Sequence, residues 1–169
     1  MTAAPDKSGW RFSRTPPAPP EDATSVELRH DRGAIDRLRD EITARCLEEG
    51  FDQAATFAIR LAFEEAVSNA FRHGAGDDPD AIVRITWEVS DGRVFLRVDD
   101  QGPGFDPDAV PDPTLDENLE RLSGRGLLLM RAYMTEVSFN DTGNAITLVR
   151  RRDHGRKHAS PPAGSRPAT

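Results

Sequence analysis

The stretch LAFEEAVSNAFRHG, residues 61–74, decides how this sequence folds. Most of its residues are apolar at the spacing of a buried helix face, yet it also carries Glu64, Glu65, Asn69 and His73. At about 100° per residue, the apolar positions of this helix form one arc: Ile59, Ala62, Phe63, Ala66, Val67 and Ala70. Glu64 points away from the arc and is expected in solvent, whereas Glu65 and Asn69 are i, i+4 neighbours on one rim of it.

The asparagine on this rim needs a physical reason. Asn69 lies where burial is expected, and a buried amide without partners costs about 1–3 kcal/mol. Two interpretations remain open: the amide bonds to nearby backbone, or it lies at the mouth of a binding site that requires it.

A second motif follows the β-rich run RVFLRV. The segment DDQGPGFDP contains the pattern D-x-G-x-G at Asp100, Gly102 and Gly104. Glycines allow a backbone to approach a ligand closely, and a carboxylate at the end of a strand can accept a hydrogen bond from an exocyclic amine. The motif is weak by itself, because aspartate and glycine are common in turns.

A third motif, SGRGLLLMRAYM, places Gly124, Arg125 and Gly126 at the start of a predicted helix. The first N–H groups of a helix are free to bind phosphate. Glycine before a helix is common, so this motif is also weak alone.

The remaining pattern predicts further helices and strands. The run SVELRH alternates as an edge strand does, and GAIDRLRDEITARCLEEG predicts a helix that ends at Gly50. Asp52 is expected to cap the next helix, which carries the opening stretch. Two hairpins are predicted, one around Asp91–Gly92 and one in VSFNDTGNAITLVRR, with a helix from GRG between them. The inward residues predicted for the first helix are Ile35, Leu38, Ile42 and Leu47.

Strand pairs with helices between them predict an α+β fold, because strict β-α alternation is absent. We expect a two-layer α/β sandwich, in which an antiparallel or mixed sheet carries helices on one face. The proline-rich segment 1–23 and the basic segment 152–169 lack apolar periodicity and are predicted to be disordered. One domain therefore remains, at residues 24–151.

The net charge of −7 conceals an asymmetry. Of the 22 basic and 29 acidic residues, 16 and 28 respectively precede residue 150. A body this acidic argues against nucleic acid as the main partner, and no apolar run approaches the roughly 18 residues of a membrane helix. With no secretory signal and a single cysteine, Cys46, we expect a cytoplasmic protein whose cysteine packs on a helix face.

In this order, E-x-x-x-N, D-x-G-x-G and G-x-G before a helix resemble the nucleotide-binding boxes of the GHKL ATPase/kinase superfamily. Within it, EAVSNAFRHG and the short chain are similar to the anti-sigma factor serine kinases of the RsbW type, over about residues 24–150. The resemblance implies a GHKL-type α/β sandwich that holds ATP and Mg²⁺ between helices and a flexible lid.

The resemblance also implies a role for each matching residue. Glu65 matches the general base, and Asn69 matches the residue that holds Mg²⁺. Asp100 matches the carboxylate that binds the adenine amino group. The matching glycines belong to the loop under the nucleotide and to the phosphate-binding turn: Gly102 and Gly104, and Gly124 and Gly126.

The predicted lid precedes the third motif. Arg121 resembles a lid arginine near the γ-phosphate, and Arg125 is a competing candidate. Residues 99–120 contain eight acidic side chains and no Lys or Arg, so they would repel phosphates. Two interpretations of this segment stay open: a merely disordered acidic loop, and a mobile lid with basic residues only at its end, which fits the composition better.

The last hairpin departs from the family pattern. Many relatives have threonine directly after the glycine of this hairpin, near the adenine, but here Gly143 is followed by Asn144. Whether Thr147 replaces that contact remains open.

The implied function is that of an ATP-dependent serine/threonine kinase and anti-sigma factor, which phosphorylates a STAS-type antagonist and sequesters a sigma factor. One alternative is a non-catalytic ATP-binding module, which Glu65 argues against because binding alone needs no base. The other is a histidine kinase catalytic domain, which the short irregular segment before the fold argues against. We expect neither membrane nor direct nucleic-acid binding, and a homodimer is left open.

Overall fold

The computed structural model describes residues 11–74, 76, 78–110 and 125–152. The strands are β1 Thr24–Leu28, β2 Val83–Ser90, β3 Arg93–Asp99, β4 Glu136–Phe139 and β5 Ala145–Arg151. The α-helices are α1 Arg32–Glu48, α2 Gln53–Asn69 and α3 Arg125–Tyr133. A π-helical turn, Ala70–Gly74, continues α2, and a 3-10 turn, Pro107–Ala109, follows β3.

The five strands form one antiparallel sheet in the order β1-β2-β3-β5-β4. Alternate strand residues, such as Ile85, Leu96 and Leu148, are fully buried and share one core with the helices. The helices therefore cover one face of the sheet, which confirms the predicted α+β sandwich and makes its sheet antiparallel. Within the described ranges, no helix is both long and apolar enough to cross a membrane.

Helix α2 buries the arc that its sequence predicts. The side chain of Asp52 caps the helix by accepting a hydrogen bond from the N–H of Ala55 at 2.7 Å, as expected. At the other end the chain remains helical through the π-turn to Gly74, close to the predicted end at His73. The buried arc consists of Ile59, Ala62, Phe63, Ala66, Val67 and Ala70.

Helix α1 differs from its prediction at one position. The predicted inward residues Ile35, Leu38 and Ile42 are buried, but Leu47 is 52% exposed. Cys46 takes the inward place, because it follows Ile42 by four residues and therefore lies on the same helix face. Burial raises the pKa of the Cys46 thiol to about 12, so the thiol stays neutral.

Both predicted hairpins are present. Strands β2 and β3 turn at Asp91 and Gly92, between the paired residues Ser90 and Arg93. The β4–β5 turn is organised by Asn140, whose side-chain oxygen accepts three backbone N–H bonds at 2.8, 3.1 and 3.1 Å; the donors are Gly143, Asn144 and Ala145.

Part of the proline-rich segment packs on the domain. Phe12 is only 6% exposed, and the backbone carbonyl of Ser13 accepts a hydrogen bond from the N–H of Phe139 at 2.9 Å. Residues 11–13 therefore lie against β4, although their composition predicted disorder. Phe12 stands in no periodic apolar pattern, so its burial could not be predicted from the sequence.

Arg152 also contacts the domain, at the start of the predicted C-terminal tail. Its backbone N–H donates to the carbonyl of Gly92 at 2.7 Å. Its guanidinium donates to the carbonyl of Glu49, which follows the last turn of α1. The contact therefore ties the end of the sheet to the end of this helix.

We predict that a chain ending at Arg152 melts at the same temperature as the full chain, because residues 153–169 contain no large apolar side chain to bury. A chain ending at Arg151 should melt about 2–4 °C lower, since a cationic donor to the last carbonyls of a helix contributes up to about 1 kcal/mol. Thermal denaturation measures both. Equal values for the two shortened chains would contradict the role of Arg152.

Candidate functional site

A cleft of about 450 Å³ opens between the end of α2, the loop after β3, the start of α3 and the β4–β5 turn. Most of its wall is apolar and includes Ala66, Ala70, Val98, Leu127, Phe139 and Ile146. Its polar side chains are Glu65, Asn69, Arg72, His73, Asp100 and Asn144. An apolar slot with few polar groups suits a flat heterocycle with a polar edge.

Glu65 and Asn69 lie side by side on the rim of α2 and line the cleft. Both are half-buried, and neither makes a hydrogen bond or ion pair with another residue of the described ranges. The interpretation that Asn69 is bonded to nearby backbone is therefore wrong for the described chain. Two polar groups that line a cleft and have no partner among the described residues are available to a ligand.

Glu64 points away from the cleft, as predicted, but the expectation that it is simply solvated is wrong. Its carboxylate pairs with Arg39 at 3.1 Å and with Arg60 at 3.5 Å. The Arg39 side chain is only 11% exposed and also pairs with Asp36 and Asp40. Glu64 therefore ties α2 to α1, while its neighbour Glu65 faces the cleft.

Helix α3 begins directly against these rim residues. A Cβ added to Gly126 would overlap the Oε2 of Glu65 and lie 3.7 Å from the Nδ2 of Asn69. A larger residue here would require the Glu65 carboxylate to move, so glycine lets the helix lie against Glu65 in its present position. The first N–H groups of α3 therefore stand near the two available polar groups, where they can bind an anion.

Asp100 lines the same cleft, directly after β3. Its Oδ1 accepts the N–H of Gly102 at 2.8 Å, whereas no residue of the described ranges donates to its Oδ2. Burial raises the pKa of Asp100 above its ordinary value, while the bond from Gly102 acts in the opposite direction. The free oxygen is suited to accept a hydrogen bond from an amino group.

The loop after β3 and the β4–β5 turn pack back to back. Gly104 and Gly143 have φ values of 75° and 79°, and a Cβ on either would overlap the backbone of the other loop. The Nδ2 of Asn144 donates to the carbonyl of Gly102 at 3.3 Å. These contacts form a wall of the cleft from two segments far apart in sequence.

The structure brings most of the predicted residues together. Those that line the cleft are Glu65, Asn69, Asp100, Gly104 and Gly126. Gly102 supports the loop from outside the cleft, where a Cβ would lie 2.6 Å from the Cα of Gly74. Arg125 is exposed and does not line the cleft. Arg121 and Gly124 lie outside the described residues.

At the last hairpin, Asn144 lines the cleft and Thr147 does not. Thr147 is paired with Arg97 and Ser138 within the sheet, away from the cleft. The position that follows Gly143 therefore reaches the cleft with an amide in place of the hydroxyl found in many relatives.

The cleft also contains side chains that no sequence motif assigned to it: Arg72, His73, Phe105 and Phe139. Arg72 and His73 follow Asn69 by three and four residues, a spacing that would have indicated a shared helix side. Phe105 follows Gly104 in an irregular loop, so no periodic signal indicated its position.

Comparison with known proteins agrees with this geometry. The profile of the histidine kinase-like ATPase domain matches residues 26–150, and the chain therefore belongs to the histidine kinase-like ATPase family.

Its relatives include proteins named anti-sigma F factor. That of Geobacillus thermodenitrificans (strain NG80-2) is 38% identical over 99 residues, which cover 57% of this chain and 67% of the relative. That of Clostridium novyi (strain NT) is 34% identical over 87 residues, 50% of this chain and 60% of the relative. That of Heyndrickxia coagulans is 28% identical over 136 residues, which cover 70% of this chain and 92% of the relative.

The cleft fits the ATP that family membership implies. Its apolar wall suits the adenine ring, and the free Oδ2 of Asp100 suits the amino group of adenine. The start of α3, where Gly126 has no side chain to cover the backbone N–H groups, suits an anionic phosphate.

We predict that Glu64→Gln lowers the melting temperature by about 2–4 °C, because weakening a partly buried ion pair costs up to about 1 kcal/mol. Glu65→Gln should leave the melting temperature unchanged, because Glu65 has no partner among the described residues. The two adjacent, isosteric changes control for each other in thermal denaturation. A larger loss for Glu65→Gln would mean that its carboxylate supports the fold.

Proposed function

We propose that this protein is an ATP-dependent serine/threonine kinase and anti-sigma factor in a partner-switching system. It phosphorylates a serine of an anti-anti-sigma antagonist of the STAS type and sequesters a sigma factor. One observation carries the catalytic part: Glu65 lines the cleft beside Asn69 with a carboxylate that has no partner among the described residues. The relatives named anti-sigma F factor support the choice of partners.

The polar groups of the cleft suggest how the nucleotide lies. Adenine would occupy the apolar slot and donate from its amino group to the Oδ2 of Asp100. The phosphates would then extend toward the start of α3, near Gly126. Arg72 lines the cleft three residues after Asn69 and can offset part of the phosphate charge.

Asn69 is proposed to hold Mg²⁺. This ion prefers hard oxygen ligands and keeps several of its waters, so one amide oxygen and the ATP phosphates are sufficient. Among the described residues, no group of three His, Cys, Asp or Glu side chains could hold a metal ion. When bound, Mg²⁺ neutralises phosphate charge, and its binding should require the nucleotide.

Transfer requires a proton acceptor at the attacking hydroxyl. Glu65 accepts the proton of the serine hydroxyl while the serine oxygen bonds to the γ-phosphorus. The bond from this phosphorus to the oxygen that bridges it to the β-phosphorus breaks, and ADP leaves. Little other covalent chemistry is needed from the protein, because phosphoryl transfer depends mainly on positioning and charge neutralisation.

The test of the proposed reaction is incubation with γ-labelled Mg-ATP and a purified candidate antagonist, followed by location of the label. Label on serine or threonine supports the proposal. Label on histidine would favour a histidine kinase domain, and complex formation without label would favour a non-catalytic ATP-binding module.

The partners can be identified by their response to nucleotide. Immobilised protein should retain a sigma factor and an antagonist from a lysate of its native cells, and it should retain them in different nucleotides when the lysate contains ATP or ADP. Recovery of both partners would support the proposed cytoplasmic location. Retention of the same proteins in both nucleotides would contradict partner switching.

We predict that Glu65→Gln retains Mg-ATP binding while phosphorylation of the antagonist falls about 10²–10⁴-fold, the usual contribution of a general base. Asn69→Ala should instead lose the Mg²⁺-dependent part of ATP binding. Glu64→Gln is the matched control and should affect neither. Calorimetry measures binding, and label transfer measures the rate. Loss of transfer in Glu64→Gln but not in Glu65→Gln would reverse the assignment.

We predict that Asp100→Asn weakens ATP binding about 10- to 100-fold and reduces discrimination against GTP, because a hydrogen bond to a charged group contributes about 1.5–3 kcal/mol. Asparagine can still accept the N–H of Gly102, so the loop should keep its shape. Because burial raises the pKa of Asp100, the affinity ratio of wild type to variant should shrink as the pH is lowered. Unchanged affinity in calorimetry would remove Asp100 from the site.

A further inference from the structure

Residues 11–15, here called the N-terminal strap, lie before the region matched by the family profile, which begins at residue 26. The strap runs beside β4, where an isolated parallel bridge joins Ser13 to Ser138. The carbonyl of Ser13 accepts the N–H of Phe139 at 2.9 Å. The strap is therefore attached to the edge of the sheet that adjoins the cleft.

An aromatic chain leads from the strap to the cleft. The ring of Phe12 is buried edge-to-face against Phe139, with the ring centroids 5.3 Å apart. Phe139 in turn packs edge-to-face against Phe105 at 5.6 Å. The guanidinium of Arg131, on α3, lies 5.7 Å from the Phe12 ring. Phe105 and Phe139 both line the cleft, whereas no strap residue does.

Polar contacts attach the strap to the loop after β3. Arg14 pairs with Asp106 at 2.5 Å and lies 3.8 Å from the carboxylate of Asp108. The N–H of Phe12 donates to Asp108 at 3.0 Å, and Arg14 also donates to the carbonyl of Asn140 at 3.4 Å. Arg14 thus connects the loop after β3 with the β4–β5 turn.

This loop shapes the cleft but has little regular structure of its own. Residues 104–110 contain one short 3-10 turn, and they contribute Gly104, Phe105 and Val110 to the cleft wall. Asp106 and Asp108 add two negative charges to the loop that adjoins the proposed ATP site. An arginine that contacts both carboxylates holds the loop in place. It also offsets their negative charge, which would otherwise repel an anionic ligand.

We propose that Arg14 is a positioning residue for the nucleotide: by holding Asp106 and Asp108, it keeps residues 104–110 in the conformation that forms the cleft wall. The inference rests on the proposed ATP site and adds to it a residue from outside the matched family region. Arg14 acts through the loop, because it does not itself line the cleft.

The experiment measures Mg-ATP affinity by calorimetry in the full chain. Arg14→Ala should weaken binding about two- to fivefold, the scale of a partly exposed ion pair. Arg14→Lys should restore part of the affinity, because it keeps the charge but not the forked geometry. Arg29→Ala is the matched control, since Arg29 pairs with Asp80 at 2.6 Å and neither residue lines the cleft. It should bind ATP as the wild type does.

A second measurement separates positioning from general stability. Asp106→Asn removes the charge of the carboxylate that Arg14 contacts, so the double variant with Arg14→Ala should bind no more weakly than Arg14→Ala alone. The melting temperatures of Arg14→Ala and Arg29→Ala should both lie close to that of the wild type. If wild type fails to bind Mg-ATP, the proposed function fails and the inference fails with it. If wild type binds and Arg14→Ala binds equally well, the inference alone is overturned.

Discussion

Burial of one arc of α2 against the sheet is the constraint on which the site depends. A helix that must bury Phe63 and its apolar neighbours can offer only its rims to a ligand, and Glu65 and Asn69 occupy the rim that the cleft reaches. Turning the helix by one residue, about 100°, would expose Phe63 and lose roughly 1.5–3 kcal/mol for that side chain alone. The ion pair from Glu64 to Arg39 resists the same rotation from the outer side.

The antiparallel sheet supplies the other half of the cleft. Pairing of Asp99 with Ala145 places the residues beyond each strand end, Asp100 and Asn144, beside each other. The N–H of Asp100 then donates to the carbonyl of Asn144 at 2.9 Å. The loop after β3 and the β4–β5 turn, more than forty positions apart in the chain, thus meet because β3 and β5 pair up to their ends. The carboxylate acquires its surroundings from the register of the sheet.

Local patterns in the sequence predicted the local features of the structure. The arc of α2, its cap at Asp52 and the turn at Asp91–Gly92 each depend on residues within a few positions of one another, and all three were predictable. The orientation of Glu65 followed from helical geometry alone.

Features that require distant partners were not predictable in this way. Arg60 is a local i, i+4 partner of Glu64, but its other partner, Arg39, lies 25 positions earlier. Arg14 likewise donates to a carbonyl 126 positions later. A single sequence does not indicate such contacts, because the chain must first be folded for the two groups to meet. For Leu47 and Cys46 the pattern was local but ambiguous, since adjacent apolar residues near a helix end compete for one inward position.

The burial of Cys46 has a practical consequence. It is the sole thiol of the chain, and in the folded protein it is inaccessible and held in its neutral, unreactive form. A thiol reagent can therefore modify this protein only during excursions in which α1 leaves the core. The rate of alkylation therefore reports how often the domain opens. A change in that rate on adding nucleotide would measure how strongly a ligand in the cleft restrains the opening of α1.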